Sequence, residues 1–205
     1  MTSANKIISE LSTKKRDLFK SFFLKYKYNF NFEKLKKFKK FKTIIIIGMG
    51  GSILGSKAIY DFLRFKIKKK FIFIDNLDQS YLEEVKKKNN LKNSLFLIIS
   101  KSGNTIETIV NASFFQKFIN NKNSIIVSEN KNNILRNYAI KKKIYFVKHN
   151  SKIGGRYSVF SESGILPAYF MGLNIKKFKN RVLSLIKNKK ILTSEIKKIN
   201  KIISK

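Results

Sequence analysis

Three short segments of this 205-residue chain combine glycine with hydroxyl or basic side chains in patterns that suit anion binding. Gly48-Met49-Gly50-Gly51-Ser52 and Ser100-Lys101-Ser102-Gly103-Asn104-Thr105 each follow an apolar run and precede a predicted helix. Glycine lets the backbone approach a ligand closely, and the amides at a helix start favour negative charge. Gly154-Gly155-Arg156-Tyr157-Ser158 adds a fixed positive charge that can stabilise negative charge developing on a ligand.

Each segment also has a purely structural interpretation. Glycine-rich turns start many crossover helices, and Ser102 or Asn104 can simply be an N-cap. The first loop lacks the last glycine of a dinucleotide-binding fingerprint and the Gly-Lys-Ser/Thr ending of a P-loop. Arg156 by itself is compatible with an exposed turn. Because two such loops occur on βα units of one predicted sheet, we favour a monophosphate site over two unrelated caps.

The elements that must position these loops follow from the hydrophobic pattern. Five apolar runs do not alternate with polar residues, which is typical of strands buried on both faces. They are Thr43–Ile47, Phe71–Ile74, Leu95–Ile99, Ile125–Val127 and Ile144–Val147. The intervening helices are predicted at Ser52–Phe65, Gln79–Lys88, Asn104–Phe118 and Lys131–Ala139. This alternation predicts an α/β fold with a five-stranded parallel sheet flanked by helices, and ligands bind at the carboxyl edge of such sheets.

Apolar spacing also predicts faces on individual helices. In Ser52–Phe65 the residues Leu54, Ala58, Ile59, Phe62 and Leu63 share one helical face. Near the amino terminus, Phe19, Phe22, Phe23 and Tyr26 predict a helix that packs over the sheet. Further helices are predicted at Ser161–Phe170, Ile175–Ile186 and Ile191–Ile203, and the last two are amphipathic and basic.

The charge balance raises the question of a nucleic-acid partner. Lys and Arg number 45 against 12 Asp and Glu, which gives a formal net charge of +33. Only five of the basic residues are Arg, the side chain that reads phosphates and bases through its planar fork. The lysines spread over the whole chain together with Asn, Ile and Phe, all of which have AT-rich codons. Compositional drift explains this pattern, and we expect no specific nucleic-acid site.

Composition excludes several other classes. The chain has no cysteine, which rules out disulfide frameworks, thiolate metal sites and cysteine nucleophiles. His149 is the single histidine, so a histidine-rich metal site is implausible and a strand-end or loop position is expected. The longest uncharged apolar run, Thr43–Ser56, is shorter than the roughly 20 residues of a membrane span. Residues 1–20 lack the apolar core of a signal peptide, so we expect a soluble, cytoplasmic protein without a membrane partner.

Three segments resemble, in the same order, the signatures of the glucose-6-phosphate isomerase family. They are Ile47–Gly55, Ile99–Thr108 and Gly154–Ser158. The second has the Ser-x-Ser-Gly-x-Thr-x-Glu-Thr pattern shared by all sugar-isomerase (SIS) domains, and the other two narrow the resemblance to this family. The resemblance spans residues 43–175 and implies the SIS fold, a flavodoxin-like three-layer sandwich.

The resemblance implies an activity and a set of site residues. The implied reaction is the aldose–ketose isomerisation of glucose 6-phosphate and fructose 6-phosphate through a cis-enediol, a step of glycolysis and gluconeogenesis that needs no cofactor. Arg156 matches the catalytic arginine that steadies the enediolate. The family protein is implied to be a homodimer when full length. The residues that match its substrate-binding positions are Gly51, Ser52, Ser100, Lys101, Ser102 and Thr105.

The resemblance also implies machinery that this chain does not match. The family's base glutamate, ring-opening histidine and late lysine follow the arginine segment, mostly in a second SIS domain. His149 precedes that segment and does not match the family histidine. Glu107 matches a family position but is expected to be a dipole and capping partner, and no motif makes Glu162 the base.

These departures lead to three expectations. The 205-residue chain alone is expected to be inactive, as the product of a truncated gene, a degraded paralogue or one part of a split enzyme. Its expected domains are a helical extension at 1–42, the SIS domain at 43–150, and a helical segment at 151–205 that leads into a missing second SIS domain. The alternative function is a non-catalytic SIS module that binds a sugar phosphate.

The net charge generates a prediction about polyanions. Binding to DNA or RNA should be independent of sequence and should weaken steeply with added salt, because counterion release drives it. Fluorescence anisotropy with unrelated oligonucleotides at increasing ionic strength measures this. Tight, sequence-selective binding that persists at about 0.2 M salt contradicts the prediction.

Overall fold

The computed structural model describes residues 17–203, whose contacts divide them into two compact units. One unit is Tyr28–Leu173 and contains the β-sheet. The other comprises residues 17–27 together with 174–203. The domain boundaries predicted from the sequence stay a prediction.

Five parallel strands form a single sheet in the order β2-β1-β3-β4-β5. Residue pairing along β1 and β3 runs from Thr43 opposite Ser94 to Gly48 opposite Ile99. The central strands are buried along almost their whole length, which explains why their sequences do not alternate. The predicted five-stranded parallel sheet is confirmed. The strands are β1 Thr43–Gly48, β2 Lys70–Ile74, β3 Ser94–Ile99, β4 Ser124–Ser128 and β5 Tyr145–Lys148.

Helices occupy every gap between the strands and continue beyond the sheet. In chain order they are α1 Asp17–Phe22, α2 Phe32–Leu35, α3 Leu54–Leu63, α4 Gln79–Lys88, α5 Ile106–Phe114, α6 Ile134–Lys141, α7 Glu162–Phe170, α8 Ile175–Lys187 and α9 Lys189–Ile203. Two short 3₁₀ turns, Gly50–Ser52 and Gly155–Phe160, belong to the glycine-containing segments identified from the sequence.

The sheet is covered on both faces, which gives three layers. On one face α4, α5 and α6 bury Leu82, Ala112 and Leu135 against alternate strand residues such as Ile45 and Ile98. On the other face the ring of Tyr60 from α3 contacts Phe71 and Phe73 of β2, and Phe38 contacts Tyr145 of β5. Because side chains alternate across a strand, these two sets cover opposite sides of the sheet.

Helix α4 has the bounds predicted from the sequence, whereas α5 and α6 begin later than expected. Helix α5 starts at Ile106 rather than Asn104, with Thr105 as its N-cap. Helix α6 starts at Ile134 rather than Lys131, because the Asn133 side chain accepts a hydrogen bond from the Arg136 amide and caps the helix.

The predicted apolar face of α3 is wrong in its orientation. Leu54 and Phe62 are 57% and 82% exposed, and Ala58 is also exposed, whereas Ile59 is buried. The buried side of the helix includes Ser56, a polar residue that hydrophobic periodicity assigns to the surface. Its hydroxyl donates to the Ile53 carbonyl at 2.8 Å, so its burial leaves no unpaired donor.

The unit formed by residues 17–27 and 174–203 packs α1 against α8. Within it the Lys179 ammonium group is buried, donates to the Phe23 carbonyl at 3.1 Å and lies 5.3 Å from the Tyr26 ring centroid. The expectation that the aromatic stripe of this segment covers the sheet stays a prediction. Across residues 17–203, none of the helices has the length and apolar character needed to cross a membrane.

The orientation of α3 predicts opposite outcomes for two alanine substitutions in the same helix. Ile59→Ala should lower the free energy of unfolding by about 2–5 kcal/mol, because it empties a packed position. Phe62→Ala should change it by less than about 0.5 kcal/mol, because this ring lies in solvent. Urea denaturation of both variants measures the difference. Equal destabilisation by the two substitutions contradicts the observed orientation.

Candidate functional site

Three loops converge at the carboxyl edge of the sheet. The first follows β1 and forms the 3₁₀ turn Gly50–Ser52, and the second follows β3 and runs from Ser100 to Thr105. Strands β1 and β3 are adjacent, so these two loops are neighbours. The third segment follows β5, which lies three strand spacings from β1, or about 14 Å.

The hydroxyl groups of the second loop point towards one another. Ser100 Oγ lies 2.8 Å from Thr105 Oγ1, and Ser102 Oγ lies 3.4 Å from the same oxygen. The Gly103 amide donates to Ser100 Oγ at 3.1 Å, and the Asn104 amide donates to Ser102 Oγ at 3.2 Å. Ser100 is buried at the end of β3, whereas Ser102 is exposed to solvent. The Thr105 hydroxyl therefore lies within hydrogen-bond distance of both serine hydroxyls.

The start of α5 faces this cluster without a side-chain cap. Thr105 is the N-cap residue, but its hydroxyl contacts the two serines rather than the amides of the first turn. First-turn amides and the helix dipole create a partial positive charge at this end of the helix. The cluster therefore presents hydroxyl donors beside a helix start that attracts an anion.

Helix α6 holds the second loop in place. Gly103 has a φ of +72°, and a side chain at this position would also collide with the Asn133 side chain. The Gly103 carbonyl accepts a hydrogen bond from the Leu135 amide at 3.1 Å. Asn104 Oδ1 accepts a hydrogen bond from the Ile134 amide at 2.9 Å, so its side chain pairs with the first amide of α6. The alternative that Asn104 caps the helix following its own loop is wrong.

The first loop is closed by hydrogen bonds within its own main chain. The Ser52 amide donates to the Met49 carbonyl and the Ile53 amide donates to the Gly50 carbonyl, both at 3.1 Å. Gly50 has a φ of +52°, which allows the tight turn. The turn lies within the loop, and α3 follows it at Leu54, two residues later than the predicted start at Ser52. The half-buried Ser52 hydroxyl remains beside the carboxyl end of β1.

The arginine segment docks directly on the first loop. Gly51 lies so close to the main chain of Gly155 and Arg156 that no side chain can fit between them. Ser158 Oγ lies 3.1 Å from the Gly51 carbonyl and 2.7 Å from the Gly155 carbonyl, and its single proton can be donated to either. The Arg156 side chain is exposed. The structure thus brings all three sequence segments to one edge of the sheet.

Comparison with known proteins identifies the family to which this chain belongs. The family model for phosphoglucose isomerase matches residues 13–184. The chain belongs to the phosphoglucose isomerase family. The matched residues include all three glycine-containing segments.

Curated relatives carry the name glucose-6-phosphate isomerase. The protein from Methanocaldococcus jannaschii is 37% identical over 153 residues, a match that covers 73% of this chain and 38% of that protein. The protein from Borrelia garinii subspecies bavariensis is 40% identical over 139 residues, covering 62% of this chain and 26% of that protein. This chain therefore matches between about a quarter and two fifths of the length of these relatives.

Solved structures share the fold. A hypothetical protein from Thermus thermophilus superposes with a TM-score of 0.67 at 20% identity, covering 90% of this chain and 44% of that one. A glucose-6-phosphate isomerase from Chlamydia trachomatis superposes with a TM-score of 0.58 at 24% identity, covering 81% of this chain and 32% of that one. The SIS fold expected for the family is confirmed.

The two acidic residues considered from the sequence lie in different environments. Glu107 is half-buried in the first turn of α5, where its negative charge complements the helix dipole. Glu162 is fully buried at the start of α7, and its Oε1 accepts hydrogen bonds from the main-chain and side-chain amides of Asn29. Glu162 therefore ties the segment before α2 to α7 within the interior.

His149 lies immediately after β5, where the sequence predicts it. It is 1% exposed, its amide donates to the Ser128 carbonyl at 2.7 Å, and its Nδ1 lies 2.9 Å from the Asn150 carbonyl. Burial lowers the pKa of His149, so the ring is neutral at pH 7. Among residues 17–203, no group of three or more His, Asp or Glu side chains is arranged to hold a metal ion.

Sequence reasoning missed the polar cluster that follows β4. Glu129 lies 2.7 Å from Lys131 and 3.8 Å from the Lys101 ammonium group, and the hydrogen bond from Lys131 lowers the pKa of Glu129. Asn133 orders the same loop by donating to the carbonyls of Glu129 and Lys131. The available signal was the polar run at 128–133, which comes directly after a buried strand at the ligand-binding edge.

The docking of the arginine segment predicts an asymmetric pair of glycine variants. Gly51→Ala forces overlap with the main chain of Gly155 and should lower the free energy of unfolding by about 1–3 kcal/mol. Gly155→Ala places its Cβ 3.7 Å from Gly51 Cα, an ordinary contact, and should cost less than about 0.5 kcal/mol. Thermal and urea denaturation of both variants measure the difference. A tolerated Gly51→Ala contradicts the close approach.

Proposed function

We propose that this protein binds the phosphate of a sugar 6-phosphate and takes part in the isomerisation of glucose 6-phosphate and fructose 6-phosphate. The observation that carries the proposal is the convergence of three hydroxyl groups at the start of α5. Ser100, Ser102 and Thr105 offer the donors, and the helix start offers partial positive charge. Membership of the phosphoglucose isomerase family supports a sugar phosphate as the ligand.

The phosphate group fits this cluster on chemical grounds. A phosphate carries several acceptor oxygens and no strong donors, so it pairs with hydroxyl and amide donors. Such hydrogen bonds to an ionised group are shorter and stronger than neutral ones. The bonds within the cluster involve the same hydroxyl groups, which can rotate to donate to a ligand instead. We assign Gly51, Ser52, Ser100, Ser102 and Thr105 to substrate binding. Lys101, which the resemblance also placed in this set, directs its ammonium group to Ser151 and Glu129 instead.

Arg156 is proposed as the catalytic arginine of the site. Its main chain lies against Gly51 of the first loop, so the side chain starts from the same edge of the sheet as the hydroxyl cluster. A guanidinium group stays charged at all physiological pH values and can stabilise the negative oxygen of a cis-enediolate as it forms. Proton transfer between C2 and C1 needs a separate base, and the proposal assigns that role to no residue of 17–203.

The docked arginine favours the isomerase over a non-catalytic binding module. A module that only senses a phosphate needs the hydroxyl cluster and the helix start. Close packing of Gly51 on Gly155, with Ser158 bonded across the contact, holds the main chain that carries Arg156 at the same edge of the sheet, and phosphate recognition by the hydroxyl groups does not need that contact. The cytoplasmic location, the absence of a specific nucleic-acid partner and the homodimeric state implied by the resemblance are part of the same proposal.

The phosphate site is tested by removing two of its hydroxyl groups. The double variant Ser102→Ala, Thr105→Ala should bind 6-phosphogluconate at least about tenfold more weakly, because each hydrogen bond to a charged phosphate contributes about 1–3 kcal/mol. Isothermal titration calorimetry with the 205-residue chain measures the dissociation constant. Ser113→Ala is the matched control, since Ser113 is an exposed hydroxyl further along α5. Unchanged affinity in the double variant contradicts the proposed site.

A further inference from the structure

The side chain of Lys101 leaves the hydroxyl cluster that its own loop forms. Its ammonium group donates to the Ser151 carbonyl at 2.9 Å and lies 3.8 Å from Glu129 Oε1. Ser151 belongs to the segment between β5 and Arg156, and Glu129 follows β4. Lys101 therefore joins three consecutive carboxyl-edge loops through one charged group.

Glu129 holds Lys101 in this position from two directions. The Glu129 amide donates to the Lys101 carbonyl at 2.9 Å, which fixes the two main chains side by side. The Glu129 carboxylate is only 12% exposed and lies between Lys101 and Lys131. The Lys101 ammonium group thus has a carbonyl and a carboxylate as partners, and both belong to loops other than its own.

The segment that carries Arg156 is thus fixed at two places. At one end Ser151 accepts the hydrogen bond from Lys101 of the second loop. At the other end Gly155 packs on Gly51 of the first loop. Between these points Ile153 is fully buried, which leaves the segment little freedom to shift.

We propose that Lys101 is a positioning residue, which ties the Arg156 segment to the phosphate-binding loop and so sets the distance between the two ends of a bound sugar phosphate. This inference rests on the proposed function, because it concerns how the phosphate cluster and Arg156 act on one ligand. A misplacement of about 1 Å at such a site costs about a hundredfold in rate, so a tether of this kind has a measurable effect.

The affinities for two ligands distinguish a positioning role of Lys101 from direct contact between Lys101 and the phosphate. Inorganic phosphate needs only the hydroxyl cluster, whereas 6-phosphogluconate also reaches the Arg156 end. Lys101→Met keeps the aliphatic stem and removes the ammonium group. We expect its dissociation constant for 6-phosphogluconate to rise about tenfold more than its dissociation constant for phosphate. In an Arg156→Ala background, Lys101→Met should add little further loss, because the two residues act through one element.

Matched variants control for charge and for folding. Lys131→Met removes the same charge from the same carboxylate but leaves Ser151 untouched, so it should change both ligand affinities by a similar small factor. Lys101→Arg keeps a donor within reach of the Ser151 carbonyl and should restore most of the preference for 6-phosphogluconate. Circular dichroism of each variant verifies that the fold is retained.

A ligand-free measurement tests the tether independently. In ¹H–¹⁵N spectra of the 205-residue chain, Lys101→Met should shift the amide resonances of Gly154, Gly155 and Arg156, whereas Lys131→Met should not. If the unmodified chain binds neither ligand, the proposed function fails, and these shifts still decide whether Lys101 holds the segment.

Two results overturn the inference. Equal loss of phosphate and 6-phosphogluconate binding in Lys101→Met, without a matching loss in Lys131→Met, makes Lys101 a direct phosphate ligand. If Lys101→Met leaves the affinity for both ligands and the amide resonances of residues 154–156 unchanged, the hydrogen bond from Lys101 to Ser151 does not position the Arg156 segment.

Discussion

The contact between the main chains of Gly51 and Gly155 is the constraint on which the site depends. It joins the loop after β1 to the segment after β5, although these strands lie three positions apart in the sheet. Any side chain at Gly51 would push the two segments apart. Without this contact the hydroxyl groups of the second loop would remain, but the main chain at Arg156 would no longer be held against the first loop.

The hydroxyl cluster is organised by polar contacts that reach across neighbouring loops. Asn104 and Asn133 connect the second loop to the start of α6, and Lys101 connects it to Glu129 and Ser151. These contacts hold the loop in one arrangement, which lowers the entropic cost of binding at the proposed phosphate site. The two interactions of Lys101 also explain why the most obvious cation of the loop does not point into the cluster.

The sequence predicted most of the fold because local patterns carried the necessary information. Buried parallel strands have continuous apolar runs, and all five strands of the sheet coincide with such runs. The sequence was misleading at two places. One is a polar residue that is buried with its hydrogen bond made, and the other is a side chain that bonds to the start of a helix other than the one that follows its own loop. Ser56 is buried with its hydroxyl bonded to the Ile53 carbonyl, while Leu54 of the same helix is exposed, and Asn104 bonds to the start of α6.

The sequence by itself determined the order of strands and helices along the chain, the three glycine-containing segments and the resemblance to phosphoglucose isomerases, because each depends on residues close together in the chain. Only the tertiary structure decided which atoms of those segments meet. The packing of Gly51 on Gly155 and the bond from Lys101 to Ser151 join residues 104 and 50 positions apart. No local pattern encodes such contacts, since they arise only when the strands pair and their carboxyl ends come to one edge of the sheet.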